Sequence, residues 1–98
     1  MTSKEYILKI LKSNKPKLVN SGIRDVGLFG SYVRSEQKYD SDIDILLDFE
    51  PGKENFDNYM EACELLENLF KNEKIEVVTK NGLSPYIGPA VLKEVVYA

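Results

Sequence analysis

The spacing of apolar positions changes repeatedly along the chain, and each change marks an element. Tyr6, Ile7, Ile10 and Leu11 share one helical stripe, and Thr2 stands three residues before Glu5 at the spacing of a capping box, which predicts a helix from Thr2 to about Ser13. Asn14, Lys15 and Pro16 interrupt it, and Leu18 and Val19 continue in a short helical piece ended by Gly22. Ile23, Val26, Leu28 and Phe29 then form a β-rich run closed by Gly30, and Asp42 to Phe49 forms a second one closed by Pro51 and Gly52. Phe56, Tyr59, Met60, Cys63, Leu66, Leu69 and Phe70 recur at helical spacing while Glu61, Glu64 and Glu67 face elsewhere, predicting an amphipathic helix over Phe56 to Lys71. Ile75, Val77, Val78 and Thr79 read as a third strand. After the Asn81-Gly82 turn, Pro85, Gly88 and Pro89 break the chain before Val91 to Tyr97, a last apolar run read as helix.

This mixed order predicts an α/β (α+β) fold, a small mixed twisted sheet flanked by helices, with 1–98 as one domain. Ninety-eight residues, 43% of them apolar, supply one core and not two. The charge balance of 13 basic against 16 acidic side chains gives a net −3, which argues against stable binding to duplex DNA, because that affinity is built from Lys and Arg. There is no histidine, so imidazole bases, nucleophiles and ligands are excluded, and one cysteine, Cys63, forms neither an internal disulfide nor a zinc cluster. Cys63 reads as a small core residue. No apolar run is long enough to span a bilayer, and Lys4, Glu5 and Lys9 interrupt the start where a secretory signal needs apolar residues, so a cytoplasmic protein is expected. Lys9, Lys12, Lys15 and Lys17 read as a solvated face, and Tyr6, Tyr59, Tyr86 and Tyr97 as core or interface aromatics.

The chemistry concentrates between Phe29 and Asp48. Asp42 and Asp44 flank Ile43 at the start of a strand, where alternation sends both carboxylates to one side, roughly 6.5 to 7 Å apart. At an effective dielectric near 20 such charges repel by roughly 2.5 kcal/mol, so a positive group is expected between them. With only oxygen donors present, Mg²⁺ or Mn²⁺ is favoured over zinc, and Mg²⁺ fills its octahedron with waters and substrate phosphates. Gly30 leaves a strand into Ser31, a turn into a helix N-terminus whose N–H groups and hydroxyl receive an anion, with Arg34 one turn further on as a charge clamp on the same phosphates or as a surface salt-bridge residue. Glu76, on the third strand, either stands beside the aspartates or is an exposed acid paired with Lys74 or Lys80.

Gly30-Ser31, ten intervening residues and Asp42-X-Asp44 together resemble the signature of the DNA polymerase β-like nucleotidyltransferase superfamily, and the short chain resembles its minimal nucleotidyltransferases. The resemblance implies a palm-like sheet and transfer of a nucleoside monophosphate, AMP from ATP, to a hydroxyl of an acceptor. Position by position, it implies Gly30 and Ser31 on the triphosphate, Asp42 and Asp44 on two metal ions, and Glu76 as the third catalytic and metal-binding acid. Relatives of this size are often encoded beside a helical HEPN toxin and act as its antitoxin, some by adding AMP to a tyrosine, so a HEPN protein is the partner implied; self-association is left open. Ser35 stands where the family has Gly after the motif arginine, and Glu76 where it has Asp. On these two departures rests the alternative: a non-catalytic antitoxin or binding subunit that keeps the fold and acts by contact alone.

Overall fold

The computed structural model describes residues 2–98. Helix α1, Lys4–Ser13, and the short α2, Lys15–Val19, precede β1, Ile23–Phe29, and β2, Ile43–Phe49; α3, Phe56–Leu69, leads to β3, Ile75–Thr79, and α4, Gly88–Glu94, to β4, Val96–Tyr97. The four strands make one mixed sheet in the order β3-β2-β1-β4. β1 pairs antiparallel with β2 and β4, whereas β2 and β3 run parallel. A parallel pair needs a crossover, and α3 supplies it.

Strand alternation sorts the two faces. Val26 and Leu28 of β1 lie opposite Leu47 and Ile45 of β2, and with Ile43 and Phe49 they pack in one core with Ile7, Leu11, Leu18, Ala62 and Leu66 from the helices. Asp44, Leu46 and Asp48 alternate with these residues and so belong to the other face, where Gly27 is the partner of Leu46. A Cβ on Gly27 would stand 2.5 Å from Val95 Cγ2, so the missing side chain is what lets the segment between α4 and β4 lie on the sheet. That segment is tied further by the Ala98 N–H donating to the Val26 carbonyl and by Lys15 Nζ donating to the Ala98 carbonyl. No helix among the described residues is long and apolar enough to cross a membrane.

Several elements differ in detail from the sequence expectation. The N-cap of α1 is Ser3, which accepts from the Tyr6 N–H, while the Thr2 hydroxyl donates to Glu73. Gly88 and Pro89 begin α4 instead of breaking the chain, because a proline in the first turn gives up an N–H that has no helical partner there. Val96 and Tyr97 form an edge strand on β1, not the end of a helix. The buried stripe of α3 runs through Ala62 and Leu66, leaving Phe56 and Met60 exposed. Tyr6, Tyr86 and Tyr97 are likewise exposed, and Tyr59 is partly buried. The link from Gly30 to Asp42 is a series of turns with no helix.

Gly27→Ala tests the seating of the C-terminal segment. We expect it to destabilise the chain by about 1–3 kcal/mol through overpacking against Val95, read as a lowered urea midpoint with an unchanged slope.

Candidate active site

The sheet register places the sequence-predicted acids. Asp44 is the partner of Phe29 on one side and of Glu76 on the other, and neighbouring strands lie about 4.8 Å apart, so Asp44 and Glu76 stand side by side at one end of the sheet. Asp42 precedes β2 by one residue and borders a cleft of about 510 Å³ with Phe70, Lys71 and Ile75. Gly30 follows directly on Phe29, and its φ of 82° is a conformation open to glycine and strained for other residues. A Cβ there would sit 2.0 Å from Asp44 Oδ2. Gly30 is therefore needed twice, for its backbone angle and for the room it leaves the carboxylate.

The electrostatics of these acids are uncompensated. The Asp44 carboxyl is pushed up to about 6 by its burial first, then by the charge and hydrogen bonding of Glu76 and by the charge of Asp42, with Arg34 opposing. On the same face, Asp48 is paired with Arg24 at 3.0 Å and stands 3.9 Å from Lys80. No ion pair among the described residues includes Asp42, Asp44 or Glu76. The pairing of Glu76 with Lys74 or Lys80 is thus not formed, and its place beside Asp44 is.

The turn after β1 differs from the expected helix N-terminus. The Val33 and Arg34 N–H groups both donate to the Gly30 carbonyl, at 3.0 and 3.2 Å, and the Glu36 N–H donates to the Ser31 carbonyl at 2.9 Å, which closes a compact turn that does not continue as a helix. Ser35, the residue that departs from the family glycine, has a φ of 58°, so it takes up the left-handed conformation at a cost of roughly 1–2 kcal/mol. The Ser31 amide and hydroxyl enter no hydrogen bond among the described residues. Arg34 reaches carboxylates: its Nε donates to Glu36 at 2.8 Å and its guanidinium to Glu94 at 2.6 Å. Of its two sequence readings, the salt bridge is the one present.

Glu94 was not anticipated. Its carboxylate also accepts from the Gly30 N–H at 2.7 Å, so a residue sixty-four positions away occupies the first donor of the turn. No sequence signal marked it: in a helix of Val91 to Tyr97 an acid at Glu94 falls in the first turn, where it suits the helix dipole, and only the actual end of α4 at Glu94 leaves it opposing that dipole.

Among the described residues no three acids or thiols are gathered into a ready-made metal cage. The donor chemistry nevertheless fits Mg²⁺. That ion asks for one or two protein carboxylates and completes its shell with water and phosphate oxygens, and neither Asp42 nor Asp44 is in an ion pair among the described residues.

A sheet with an acid pair at one strand end and a Gly-Ser turn beside it defines a nucleotidyltransferase fold, and residues 4–98 match the nucleotidyltransferase domain family. The chain belongs to that family and is an enzyme of the nucleotidyltransferase class. Within it, the chain is of the minimal, MntA-like kind: it is 43% identical over 100 residues to the protein adenylyltransferase MntA of Thermococcus cleftensis, covering 99% of this chain and 97% of that one. Among solved structures it is similar to a candidate minimal nucleotidyltransferase, with a TM-score of 0.70, 29% identity and coverage of 91% of this chain and 93% of the other. It is also similar to a toxin-antitoxin crystal structure with AMP-PNP, with a TM-score of 0.61 and 25% identity, covering 93% of this chain and 68% of that one.

The crowding at Asp44 has a measurable sign. A carboxyl raised in the folded state adds stability that is complete below its unfolded value, near 3.8, and is lost as pH rises through about 6. In buffer freed of metal, Asp44→Asn therefore stabilises the protein at pH 7.5 by about 1 kcal/mol, discounted for the half-exposed site, or about 4–8 °C in melting temperature. The gain vanishes near pH 4. Thermal melts of both proteins across that range check it.

Proposed function

We propose that the chain is a Mg²⁺-dependent protein adenylyltransferase, moving AMP from ATP to a hydroxyl of a partner protein, as the antitoxin of a HEPN toxin. The single observation that carries this reading is the confinement of Asp44, which lies against Gly30 and beside Glu76 with no cation paired to it. In this reading Asp42 and Asp44 hold Mg²⁺ and Glu76 completes the acid set from the neighbouring strand. Held there, the ion would supply Lewis acidity for the attacking hydroxyl and positive charge for the departing pyrophosphate.

The turn of Gly30 and Ser31 receives the β- and γ-phosphates, with the Ser31 amide and hydroxyl as its donors. The acceptor oxygen forms a bond to the α-phosphorus as the bond to the bridging oxygen breaks, pyrophosphate leaves, and the hydroxyl proton passes to the acid set. Arg34, already bonded to Glu36 and Glu94, acts on the shape of this turn instead of on the phosphates. Asp42 and Asp44 are partly exposed and Glu76 is exposed, which suits an acceptor brought by another protein. Support for the adenylyl group and for the partner comes from the relatives: one is named a protein adenylyltransferase, and another was solved as a toxin-antitoxin complex with AMP-PNP.

Labelled ATP, Mg²⁺ and the neighbouring gene's product should give a labelled partner, and chelation should abolish the label. Asp42→Ala together with Asp44→Ala should lower transfer by at least about 10²-fold. A partner that the double variant still neutralises would instead establish action by contact alone.

A further inference from the structure

The groups that close the phosphate turn are held from the far end of the chain. Glu94 bonds to the Gly30 N–H at 2.7 Å and to Arg34 at 2.6 Å, so one carboxylate grips both ends of the five-residue turn whose inner bonds run from Val33 and Arg34 to the Gly30 carbonyl. On its other flank the turn meets Asp44, which leaves no space for a Cβ at Gly30. The position of Glu94 is itself set by the residues that follow it. Val95 lies over Gly27, and Val96 and Tyr97 pair with Leu28 and Gly27.

Burial works against ionisation of Glu94, yet the bonds from Arg34 and from the Gly30 N–H hold its carboxyl below the usual range, so it is an anion at neutral pH. A carboxylate at the C-terminal end of α4 opposes the helix dipole, and only these tertiary bonds offset that cost. Both groups it occupies are ones that an anionic ligand would otherwise claim. On the turn, the Ser31 amide and hydroxyl and the Tyr32 amide enter no hydrogen bond among the described residues.

We propose that Glu94 is a positioning residue of the nucleotide site: its carboxylate fixes the Gly30–Arg34 turn and so presents Ser31 to the phosphates, without touching the nucleotide. The proposal rests on the reading that this turn receives a triphosphate. Arg34 belongs to the same clasp and reaches the nucleotide only through the shape of the turn, and Glu36 completes the set by holding its Nε.

The test is the affinity of the full chain for AMP-PNP with Mg²⁺, measured by calorimetry, alongside the melting temperature. Failure of the wild-type protein to bind would overturn the triphosphate reading and this inference with it. With binding established, Glu94→Ala should weaken affinity by at least about tenfold, the scale of a lost charge-assisted bond. Glu94→Gln keeps the shape and an oxygen for the Gly30 N–H, so it should stay folded and lose about threefold to tenfold. Arg34→Ala should weaken binding to a similar degree, and Glu94→Ala with Arg34→Ala should be no worse than the weaker single variant, because the two act as one unit. In transfer assays the KM for ATP should rise more than kcat falls. Unchanged or tighter binding by a folded Glu94 variant overturns the proposal, since a carboxylate that merely filled the phosphate position would compete and its removal would help. Additive losses in the double variant overturn it as well, by showing Arg34 in direct contact with the nucleotide.

Discussion

Everything at the functional end of this protein follows from the crowding of one carboxylate. Asp44 is brought by the parallel pairing of β2 and β3 to within one strand spacing of Glu76, and by the antiparallel pairing of β1 and β2 to the position where Gly30 leaves the sheet. Had Gly30 a side chain, it would occupy the position of Asp44 Oδ2. The sheet is stabilised by the apolar residues on its other face, Ile43, Ile45 and Leu47 with Val26 and Leu28, and that stability holds a like-charged group together that would separate if free. Hydrophobic burial on one side of β2 thus sustains electrostatic strain on the other.

The contrast between Asp44 and Asp48 shows that this strain is local. Both point to the same face of the same strand, and Asp48 is the more deeply buried. Arg24 and Lys80 offset its charge, whereas the neighbours of Asp44 are acids. The buried charge of Asp48 is compensated within the chain, and that of Asp44 is not.

How much of this was legible in the sequence depends on the distance over which each feature is set. Asp42, Asp44, Gly30 and Ser31 were legible because strand alternation and a turn glycine are local properties, read over a handful of residues. The place of Glu76 beside Asp44 needed the strand order, which depends on the crossover through α3 and not on any residue near either acid. The last helix was misplaced because Gly88-Pro89 serves equally to break a helix and to begin one, and only packing decides. Arg34 was assigned to phosphate or to a salt bridge, and the sequence around it contains Glu36 but gives no sign of Glu94, which the fold delivers from sixty residues away.

The two departures from the family pattern weigh differently once they have places. Ser35 already holds the left-handed conformation that glycine takes freely, within a turn closed by the Gly30 and Ser31 carbonyls and clasped by Arg34, so its cost falls on stability and leaves the turn formed. Glu76 is the exposed residue of the edge strand β3, where the extra methylene has room to bend. An edge strand also flexes more readily than a central one. The longer acid is therefore at an exposed position with room for its extra methylene, whereas Asp44 lies against Gly30, which leaves its carboxylate no space for a larger neighbour.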